Sequence, residues 1–334
     1  MATTRLRPVW QSARVLAPLV ALMALARPAL ADTADWKLPS AFQKPVPETI
    51  DDLKQIQAHV KTVIDKVMPA VVNIKCGPGQ GSGIIVTEDG YVLTAGHVSQ
   101  KPGQTCTITF PDGKEVKGTT LGWNKSIDNG LVKITTEGKY PYCEMGKSGE
   151  LKKGEWCLGI GHPGGYKQGR SPPVRLGRVL DSGPVMIRTD CVLVGGDSGG
   201  PLFDMQGRVI GIHSQIKGPI NNNIHVPVDT YREMWERLAK GDTFSGLPTA
   251  RLGIQADPDA KDCKISRVDP DSAADKAGLK VDDVIIAVDG KAIANFDQLK
   301  AEIDRRKPGQ QITLQVRRGE ETITLQAVLG KSQD

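Results

Sequence analysis

The sequence predicts a mainly β protein of two domains, an all-β domain followed by a smaller α+β domain. The length of 334 residues favours two domains over one. From about residue 70 to 227, short runs rich in Val and Ile alternate with Gly, Asp and Asn, which is typical of a β barrel or sandwich. A segment rich in Gly, Ser, Thr and Pro at residues 242–249 indicates a linker before the second domain.

Residues 1–31 have the pattern of a secretory signal peptide. Three arginines form a basic start, and the apolar run 15–26 is too short to span a bilayer. Ala29 and Ala31 form a cleavage pattern, so we expect a mature chain that begins at Asp32 and has no membrane span. An uncleaved membrane anchor is the alternative.

Export would change the charge of the protein. The whole chain carries a net charge of +5, and residues 1–31 contribute four arginines and no acidic residue. Their removal lowers the net charge to +1. A nearly neutral protein is not expected to bind nucleic acid.

The cysteines leave their pairing open. An exported chain would carry all six into an oxidising compartment. Their spacing matches no metal-ligand pattern, and we expect neither a metal nor another cofactor. One or two disulfides and a set of free buried thiols are both consistent with the positions Cys76, Cys106, Cys143, Cys157, Cys191 and Cys263.

A leader and one helix precede the β region. Residues 32–48 are polar and contain prolines, which predicts a flexible leader. Thr49 and Asp52 form a capping-box pattern, and apolar residues follow at helical spacing as far as Pro69. With a closing helix at its end, the first domain is predicted to cover residues 49–241.

The second domain is predicted to cover residues 250–330. A helical pattern extends over 296–306, and Arg318-Gly319-Glu320 marks a hairpin turn. The strand-like runs are 252–256, 263–268, 283–288, 312–317 and 322–328.

A serine in a glycine-rich turn is the clearest chemical signal in the chain. Ser198 lies in the segment GDSGGPL, residues 196–202. Serine proteolysis needs a nucleophilic hydroxyl, an imidazole to take its proton, a carboxylate to orient the imidazole, and amide donors for the oxyanion. The flanking glycines allow a tight turn, which predicts an oxyanion hole at Gly196, Asp197 and Ser198.

A histidine and an aspartate supply the other two groups. His97 lies in the segment LTAGHV after a strand-like run, and Asp128 precedes the run 131–134. With the Gly-Ser-Gly strand and Asp-Gly hairpin before His97, this arrangement resembles the HtrA/Deg family of trypsin-fold serine proteases. The resemblance implies a two-barrel, trypsin-like domain with His97, Asp128 and Ser198 as its triad. Asn129-Gly130 stands where the family usually has Leu-Ala, so Asp128 as the start of a turn is the alternative.

Two further departures from the family surround Ser198. Asp197 replaces the usual Asn, and Val194-Gly195 replaces the usual Asn-Pro. A buried aspartate needs a cationic or multi-donor partner, because an unpaired buried carboxylate is costly. The candidate partners are Arg170, Arg175 and Arg178.

The substrate pocket is also inferred from the resemblance. Val192 stands six residues before the serine, where trypsin has an aspartate, so aliphatic side chains are the expected P1 residues. His213, Ser214 and His225 are expected to line the pocket, and Ser214 to hydrogen-bond with Asp128.

The C-terminal segment 271–291 resembles the PDZ signature of HtrA-type proteases. The resemblance implies capture of a peptide C-terminus by the loop Leu252, Gly253 and Ile254. Leu299 and Ile303 on the predicted helix are expected to line its side-chain pocket, although they fit an ordinary helix core equally well.

The leading hypothesis is an exported endopeptidase that recognises unfolded polypeptides or exposed C-termini and cuts them by acyl transfer. A proteolytically silent scaffold or chaperone on the same fold is the main alternative, and a protease with one dedicated substrate would share the same chemistry. Family members are commonly trimers formed through the N-terminal segment of the protease domain. Trp36 and Phe42 are candidates for such contacts, or stray apolar residues of the leader.

Overall fold

The structure is a computed structural model that describes residues 37–218, 222–247, 249–257 and 260–331. The predicted signal peptide, the mature start at Asp32 and the side chain of Trp36 lie outside these residues. Within the described part of the chain, no helix is long and apolar enough to cross a membrane.

The first helix, α1 (Ile50–Val67), begins as its capping box predicts. The Thr49 hydroxyl accepts the Asp52 amide at 3.1 Å, and the Asp52 carboxylate accepts the Thr49 amide at 3.0 Å. The helix gives way to a 3₁₀ turn, Met68–Ala70, that contains the proline expected to end it. Before α1, in the segment expected to be a flexible leader, a second 3₁₀ turn covers Ser40–Gln43.

A first barrel of six strands follows α1. The strands hydrogen-bond in the order β5-β4-β1-β2-β3-β6, and pairing of β5 with β6 closes the ring. A short helix, α2 (Gly96–Ser99), follows β3. The strands are β1 (Val71–Cys76), β2 (Gly79–Ile85), β3 (Tyr91–Ala95), β4 (Thr105–Thr109), β5 (Glu115–Asn124) and β6 (Asn129–Ile134).

A second closed barrel has the order β10-β11-β12-β9-β8-β7. Its strands are β7 (Trp156–Ile160), β8 (Val174–Ser182), β9 (Ile187–Thr189), β10 (Pro201–Phe203), β11 (Val209–Ile216) and β12 (Asn223–Pro227). Buried side chains of α1 and of both barrels form one continuous core, so the two barrels pack against each other.

Two short helices replace the single closing helix expected after the barrels. They are α3 (Val228–Glu233) and α4 (Trp235–Lys240), and Gly241 ends α4 in a left-handed conformation at φ 86°. Strand β13 (Thr243–Phe244) then pairs in parallel with β5 of the first barrel.

The C-terminal domain has its own apolar core. Its four-stranded sheet has the order β18-β17-β19-β20, and β15 pairs with β16 alone. The elements are β14 (Ala250–Arg251), β15 (Ile254–Ala256), β16 (Ile265–Val268), α5 (Ala273–Lys276), β17 (Val284–Val288), β18 (Lys291–Ala292), α6 (Phe296–Asp304), β19 (Gln311–Arg318), β20 (Glu321–Val328) and β21 (Gly330–Lys331). Two β barrels followed by a small α+β domain confirm the predicted fold class.

The cysteines combine the two alternatives that the sequence left open. Cys76 and Cys106 face each other on β1 and β4 and form a disulfide. The remaining cysteines are free and buried: Cys143, Cys157, Cys191 and Cys263.

Candidate active site

His97 is presented by the turn that follows β3. The Gly96 amide donates to the Asp128 carbonyl at 2.7 Å, which brings the two loops of the first barrel together. A Cβ atom at Gly96 would lie 3.2 Å from both the carbonyl carbon and a carboxylate oxygen of Asp128, so a larger residue would crowd this approach. The His97 side chain is half exposed, which leaves it accessible to a substrate.

Asp128 holds the imidazole of His97 through its carboxylate. Oδ2 accepts from His97 Nδ1 at 2.9 Å, and Oδ1 accepts from the His97 amide at 2.9 Å. Because Nδ1 donates to the carboxylate, Nε2 is the unprotonated nitrogen of the neutral ring. Asp128 adopts a left-handed conformation at φ 69°, which aspartate tolerates better than most residues.

The Asn129-Gly130 pair has a packing role in this structure. Asn129 is buried and donates to the Thr230 hydroxyl at 2.8 Å. A Cβ atom at Gly130 would lie 2.3 Å from the Ser99 hydroxyl of α2. The departure from the family pattern therefore lets the helix that carries His97 pack against β6, and it leaves the Asp128 carboxylate in contact with His97.

Ser198 belongs to the same hydrogen-bond network through Ser214. The Ser214 hydroxyl donates to Asp128 Oδ2, and the Ser214 carbonyl accepts from Ser198 Oγ at 3.5 Å. In the described part of the chain, Ser198 Oγ makes its hydrogen bond with Ser214 rather than with His97. A catalytic hydrogen bond of this kind is often formed only once substrate is bound.

The nucleophile turn is attached to the first barrel by Ser82, whose role sequence reasoning missed. The Ser82 amide donates to the Ser198 carbonyl at 2.8 Å, and its hydroxyl donates to the Gly196 carbonyl at 2.9 Å. The same hydroxyl accepts the His162 amide at 2.8 Å. The Gly-Ser-Gly motif was the available signal, but only the position of the second barrel identifies what Ser82 binds.

Two amides of the turn are available to an oxyanion. Among the described residues, the amides of Gly196 and Ser198 donate to no protein acceptor, whereas the Asp197 amide donates to the Val194 carbonyl at 3.1 Å. Gly196 has φ 100°, and a Cβ atom there would lie 2.5 Å from the Gly164 nitrogen. Asp197 therefore contributes to the expected oxyanion hole through its side chain and not through its amide.

The Asp197 carboxylate is fully buried and is paired with Arg175 of β8. Arg175 donates through Nη1 to Oδ1 at 3.2 Å and through Nη2 to Oδ2 at 2.9 Å, and the Val194 amide donates to Oδ2 at 2.9 Å. Burial raises the pKa of Asp197 above its ordinary value, and the Val194 and Arg175 contacts oppose that rise. Of the other candidates, Arg170 donates to carbonyls of its own loop and Arg178 to the carbonyls of Gly154 and Pro45.

The residues expected to form the pocket occupy different environments. Val192 is partly exposed and Ser214 lies at the Asp128 carboxylate, as described above. His213 and His225 face each other on β11 and β12 with no solvent exposure, and their Nδ1 atoms are 2.9 Å apart. The two histidines therefore do not line an open pocket as expected.

Burial favours the neutral form of both histidines. Burial lowers the pKa of His213 well below its ordinary value and lowers that of His225 to about 3. The Thr189 hydroxyl lies 2.7 Å from His225 Nε2 and continues the hydrogen-bonded chain. This buried pair packs inside the barrel that carries Ser198.

The loop expected to capture a peptide carboxylate has unused amides. Among the described residues, the amides of Leu252 and Gly253 donate to no protein acceptor. Gly253 has φ 83°, and a Cβ atom there would lie 2.3 Å from Ser272 Cβ. The adjoining strand β15, which begins at Ile254, has one paired edge only, so its other edge can accept an added strand. Leu299 and Ile303 belong to the buried core of the domain.

A double-substitution experiment tests the role of Arg175. Arg175→Met leaves Asp197 buried without its cation, so we expect it to lower the free energy of unfolding by about 3 kcal/mol. Arg175→Met with Asp197→Asn should recover part of that loss, because a neutral amide does not require the cation. Urea unfolding on a Ser198→Ala background measures both effects.

The exposed Arg267 supplies a matched control, because its ion pair with Asp269 is long and lies in the C-terminal domain. Arg267→Met should change the unfolding free energy by less than about 0.5 kcal/mol. Equal losses for Arg175→Met and for the double variant would contradict the assigned role of the pair.

Comparison with known proteins identifies the same two domains. The family model described as trypsin-like peptidase domain matches residues 81–212, and the model described as PDZ domain matches residues 250–329. Two proteins called probable periplasmic serine endoprotease DegP-like are similar in sequence. The one from Halomonas elongata is 30% identical over 270 residues, 75% of this chain and 56% of the relative. The one from Ectopseudomonas mendocina is 33% identical over 271 residues, with the same coverage.

The chain thus spans just over half the length of these curated relatives. Among solved structures, the serine endoprotease from Yersinia pestis has a TM-score of 0.50 at 24% identity, covering 82% of this chain and 98% of that one. The HtrA-type protease AlgW with tripeptide has a TM-score of 0.50 at 24% identity, covering 82% and 97%. These structures share the fold. The chain thus combines a trypsin-like peptidase domain with a C-terminal PDZ domain and is similar to DegP-like serine endoproteases.

Proposed function

We propose that this chain is an exported serine endopeptidase that hydrolyses peptide bonds of unfolded or damaged proteins. The observation that carries the proposal is the hydrogen-bond network that joins His97, Asp128, Ser214 and Ser198 across the two barrels. The trypsin-like peptidase and PDZ domains and the similarity to DegP-like endoproteases support the same activity. The intact network disfavours the alternative of a proteolytically silent scaffold.

Acyl transfer follows from the arrangement of these groups. In this reaction Ser198 Oγ leaves the Ser214 carbonyl and hydrogen-bonds with His97 Nε2, which takes the hydroxyl proton as the oxygen attacks the substrate carbonyl. Asp128 keeps the ring oriented and stabilises the imidazolium that forms. The amides of Gly196 and Ser198 then donate to the oxyanion, and His97 returns the proton to the leaving amine.

Val192 supports a preference for aliphatic residues at P1. A Lys or Arg side chain would enter a pocket whose base has no carboxylate at this position, and an unpaired buried cation is costly. The proposed P1 residues are therefore Val, Ala, Ile and Leu.

The PDZ domain would hold the substrate by its C-terminus. The free amides of Leu252 and Gly253 can receive the terminal carboxylate, while the open edge of β15 receives the peptide backbone. The side chain of the last peptide residue would lie against Ile254 and helix α6, which carries Leu299 and Ile303.

The proposal includes the domain division and the location of the protein. The domains are residues 1–31 as signal peptide, 32–48 as leader, 49–241 as protease domain, 242–249 as linker and 250–330 as PDZ domain. The relatives are named as periplasmic, which supports export of this chain to the periplasm or beyond.

We also propose that the chain assembles as a homotrimer through the N-terminal segment of the protease domain, since family members commonly assemble in this way. Phe42 is one candidate for the contacts between subunits. Its ring centroid lies 5.1 Å from that of His59 and 6.0 Å from that of Trp156 in its own chain.

Degradation of β-casein, an unfolded substrate, tests the endopeptidase activity. Residues 32–334 should degrade β-casein, and the matched Ser198→Ala variant should not, because it lacks the attacking oxygen. Mass spectrometry of the products should show cleavage mainly after Val, Ala, Ile and Leu. An intact substrate at every temperature, with and without C-terminal peptides, would contradict the proposal.

The pH dependence of kcat/KM tests the role of His97. The hydrogen bond with Asp128 raises the pKa of His97 above its ordinary value of 6.5, and only the neutral ring can accept the serine proton. Activity should therefore rise with pH and reach half its maximum above pH 6.5. Asp128→Asn should move this midpoint to lower pH and lower kcat by about 10⁴-fold.

Asp51→Asn is the control for this experiment, since Asp51 is exposed on α1 far along the chain from the site. It should leave the rate and the midpoint unchanged. A midpoint that stays the same in Asp128→Asn would show that the hydrogen bond does not set the pKa of His97.

Peptide binding tests the carboxylate loop. Gly253→Ala should weaken binding of a fluorescent peptide with an apolar C-terminus by about tenfold or more, because the added methyl group meets Ser272. Gly309→Ala is the matched control: Gly309 has the same φ of 83° in the same domain, but its Cβ would meet nothing within 4 Å. A C-terminally amidated peptide that binds as well as the free acid would refute carboxylate capture.

A further inference from the structure

Two of the four free cysteines lie side by side in the core of the second barrel. Cys157 is on β7, Cys191 follows β9, and their sulfur atoms are 3.8 Å apart. Both are almost completely buried, at 0% and 1% exposure. The other members of this core are apolar: Val179, Ile187, Leu202 and Ile210. The two thiols are therefore in contact with each other in a largely apolar environment.

The backbone around them brings the two sulfurs together. Gly177 is the strand partner of Cys157 on β8, and a Cβ atom at Gly177 would lie 2.6 Å from the Cys191 sulfur. Only a glycine leaves room for the Cys191 thiol at this place. The Cys191 thiol also donates to the Arg175 carbonyl at 3.5 Å.

The position of the pair connects it to the nucleophile turn. Cys191 begins the loop that ends at Ser198, and Arg175 is the residue that pairs with Asp197 in that loop. A change at the Cys191 sulfur therefore reaches the loop by two routes, through the chain itself and through the strand that carries Arg175.

The remaining two free thiols differ from this pair. Among the residues that the structure describes, the Cys143 sulfur hydrogen-bonds with the Val67 carbonyl alone, and burial raises the pKa of Cys143 to about 12. Burial also raises the pKa of Cys263, to about 11. The hydrogen bond between the paired thiols instead lowers the pKa of Cys191 and raises that of Cys157 well above its ordinary value. The lowered pKa of Cys191 favours it over Cys157 as the attacking thiolate.

We propose that Cys157 and Cys191 are a redox modification site, at which thiol–disulfide exchange forms a reversible disulfide that ties the base of the nucleophile loop to β7. The co-reactant is a low-molecular-weight disulfide of the glutathione disulfide type. The Cys191 thiolate attacks one sulfur of the reagent and releases one reduced thiol. The Cys157 sulfur then attacks Cys191 in the mixed disulfide and releases the second. Two protein thiols are oxidised, one external disulfide is reduced, and the two protein protons leave with the two thiol products.

The bond would constrain the chain near Ser198. The two sulfurs must approach from 3.8 Å to about 2.0 Å, and the Cys191 thiol gives up its hydrogen bond to Arg175. Cys157 and Cys191 are 34 residues apart, so the bond closes a long loop and restricts the unfolded chain. The oxidised protein should consequently be more stable, whether or not the chain is a protease.

Peptide mapping of the Ser198→Ala protein, residues 32–334, tests the bond directly. The protein is unfolded and refolded in buffers of defined glutathione and glutathione disulfide content, so that burial does not prevent exchange. It is then quenched with acid, alkylated in denaturant and digested. We expect the Cys157–Cys191 cross-linked peptide in disulfide-rich buffer and two alkylated cysteines in thiol-rich buffer. Cys143 and Cys263 should be alkylated throughout, and Cys76–Cys106 serves as the internal positive control.

Alkylation of Cys157 and Cys191 in every buffer would overturn the proposal, and so would separate glutathione adducts on the two residues. Because the variant has no nucleophile, this result stands apart from success or failure of the proposed proteolysis.

Thermal unfolding measures the consequence. Oxidation should raise the thermal unfolding midpoint of the Ser198→Ala parent. The rise should be about 5 °C larger than in the same protein with Cys157→Ala and Cys191→Ala. Cys143→Ala is the control for loss of a buried thiol and should keep the full redox difference. An equal redox difference in parent and double variant would show that the pair forms no stabilising bond.

Discussion

The candidate catalytic groups lie on two different barrels, and the contacts of Ser82 fix the position of one barrel against the other. Ser82 is fully buried on β2 of the first barrel: its amide donates to the Ser198 carbonyl, and its hydroxyl donates to the Gly196 carbonyl and accepts from the His162 amide. A Cβ atom at the neighbouring Gly81 would lie 2.6 Å from the Ser198 carbonyl oxygen. The Gly-Ser-Gly sequence thus combines close backbone approach with a small polar side chain, and few other triplets would permit both.

Further contacts between the two barrels orient Asp128 and His97. The Ser214 hydroxyl from the second barrel donates to the Asp128 carboxylate of the first. Tyr231 of α3 is buried, and its hydroxyl donates to the Thr94 carbonyl on β3 at 2.6 Å. Because these donors are buried, each would carry a desolvation cost if the barrels moved apart. The triad geometry therefore depends on how the two barrels pack.

Asp197 shows how a departure from the family pattern is accommodated. In trypsins the equivalent aspartate pairs with an N-terminus freed by zymogen cleavage, and family relatives usually have asparagine here. In this chain Arg175 of β8 provides the cation from within the same barrel. The bidentate contact and the Val194 amide satisfy a carboxylate that has no access to water. The oxyanion turn thus has an internal support that requires no cleavage of the chain.

The resemblance to the HtrA/Deg family supplied the two-barrel and PDZ assignments and the expected roles of His97 and Asp128. The sequence by itself determined most secondary elements, the order of an all-β domain and a smaller α+β domain, and Ser198 as a candidate nucleophile. These rest on local patterns: the capping box at Thr49, the alternation of short strands, and the glycine-rich turn around Ser198. Local geometry selects such residues wherever the element lies in the fold. Tertiary structure alone decided that Arg175, and neither Arg170 nor Arg178, pairs with Asp197, that His213 and His225 are enclosed in the barrel, and that Cys76 bonds to Cys106. Each of these depends on which strands become neighbours when a barrel closes, and spacing along the chain does not contain that information.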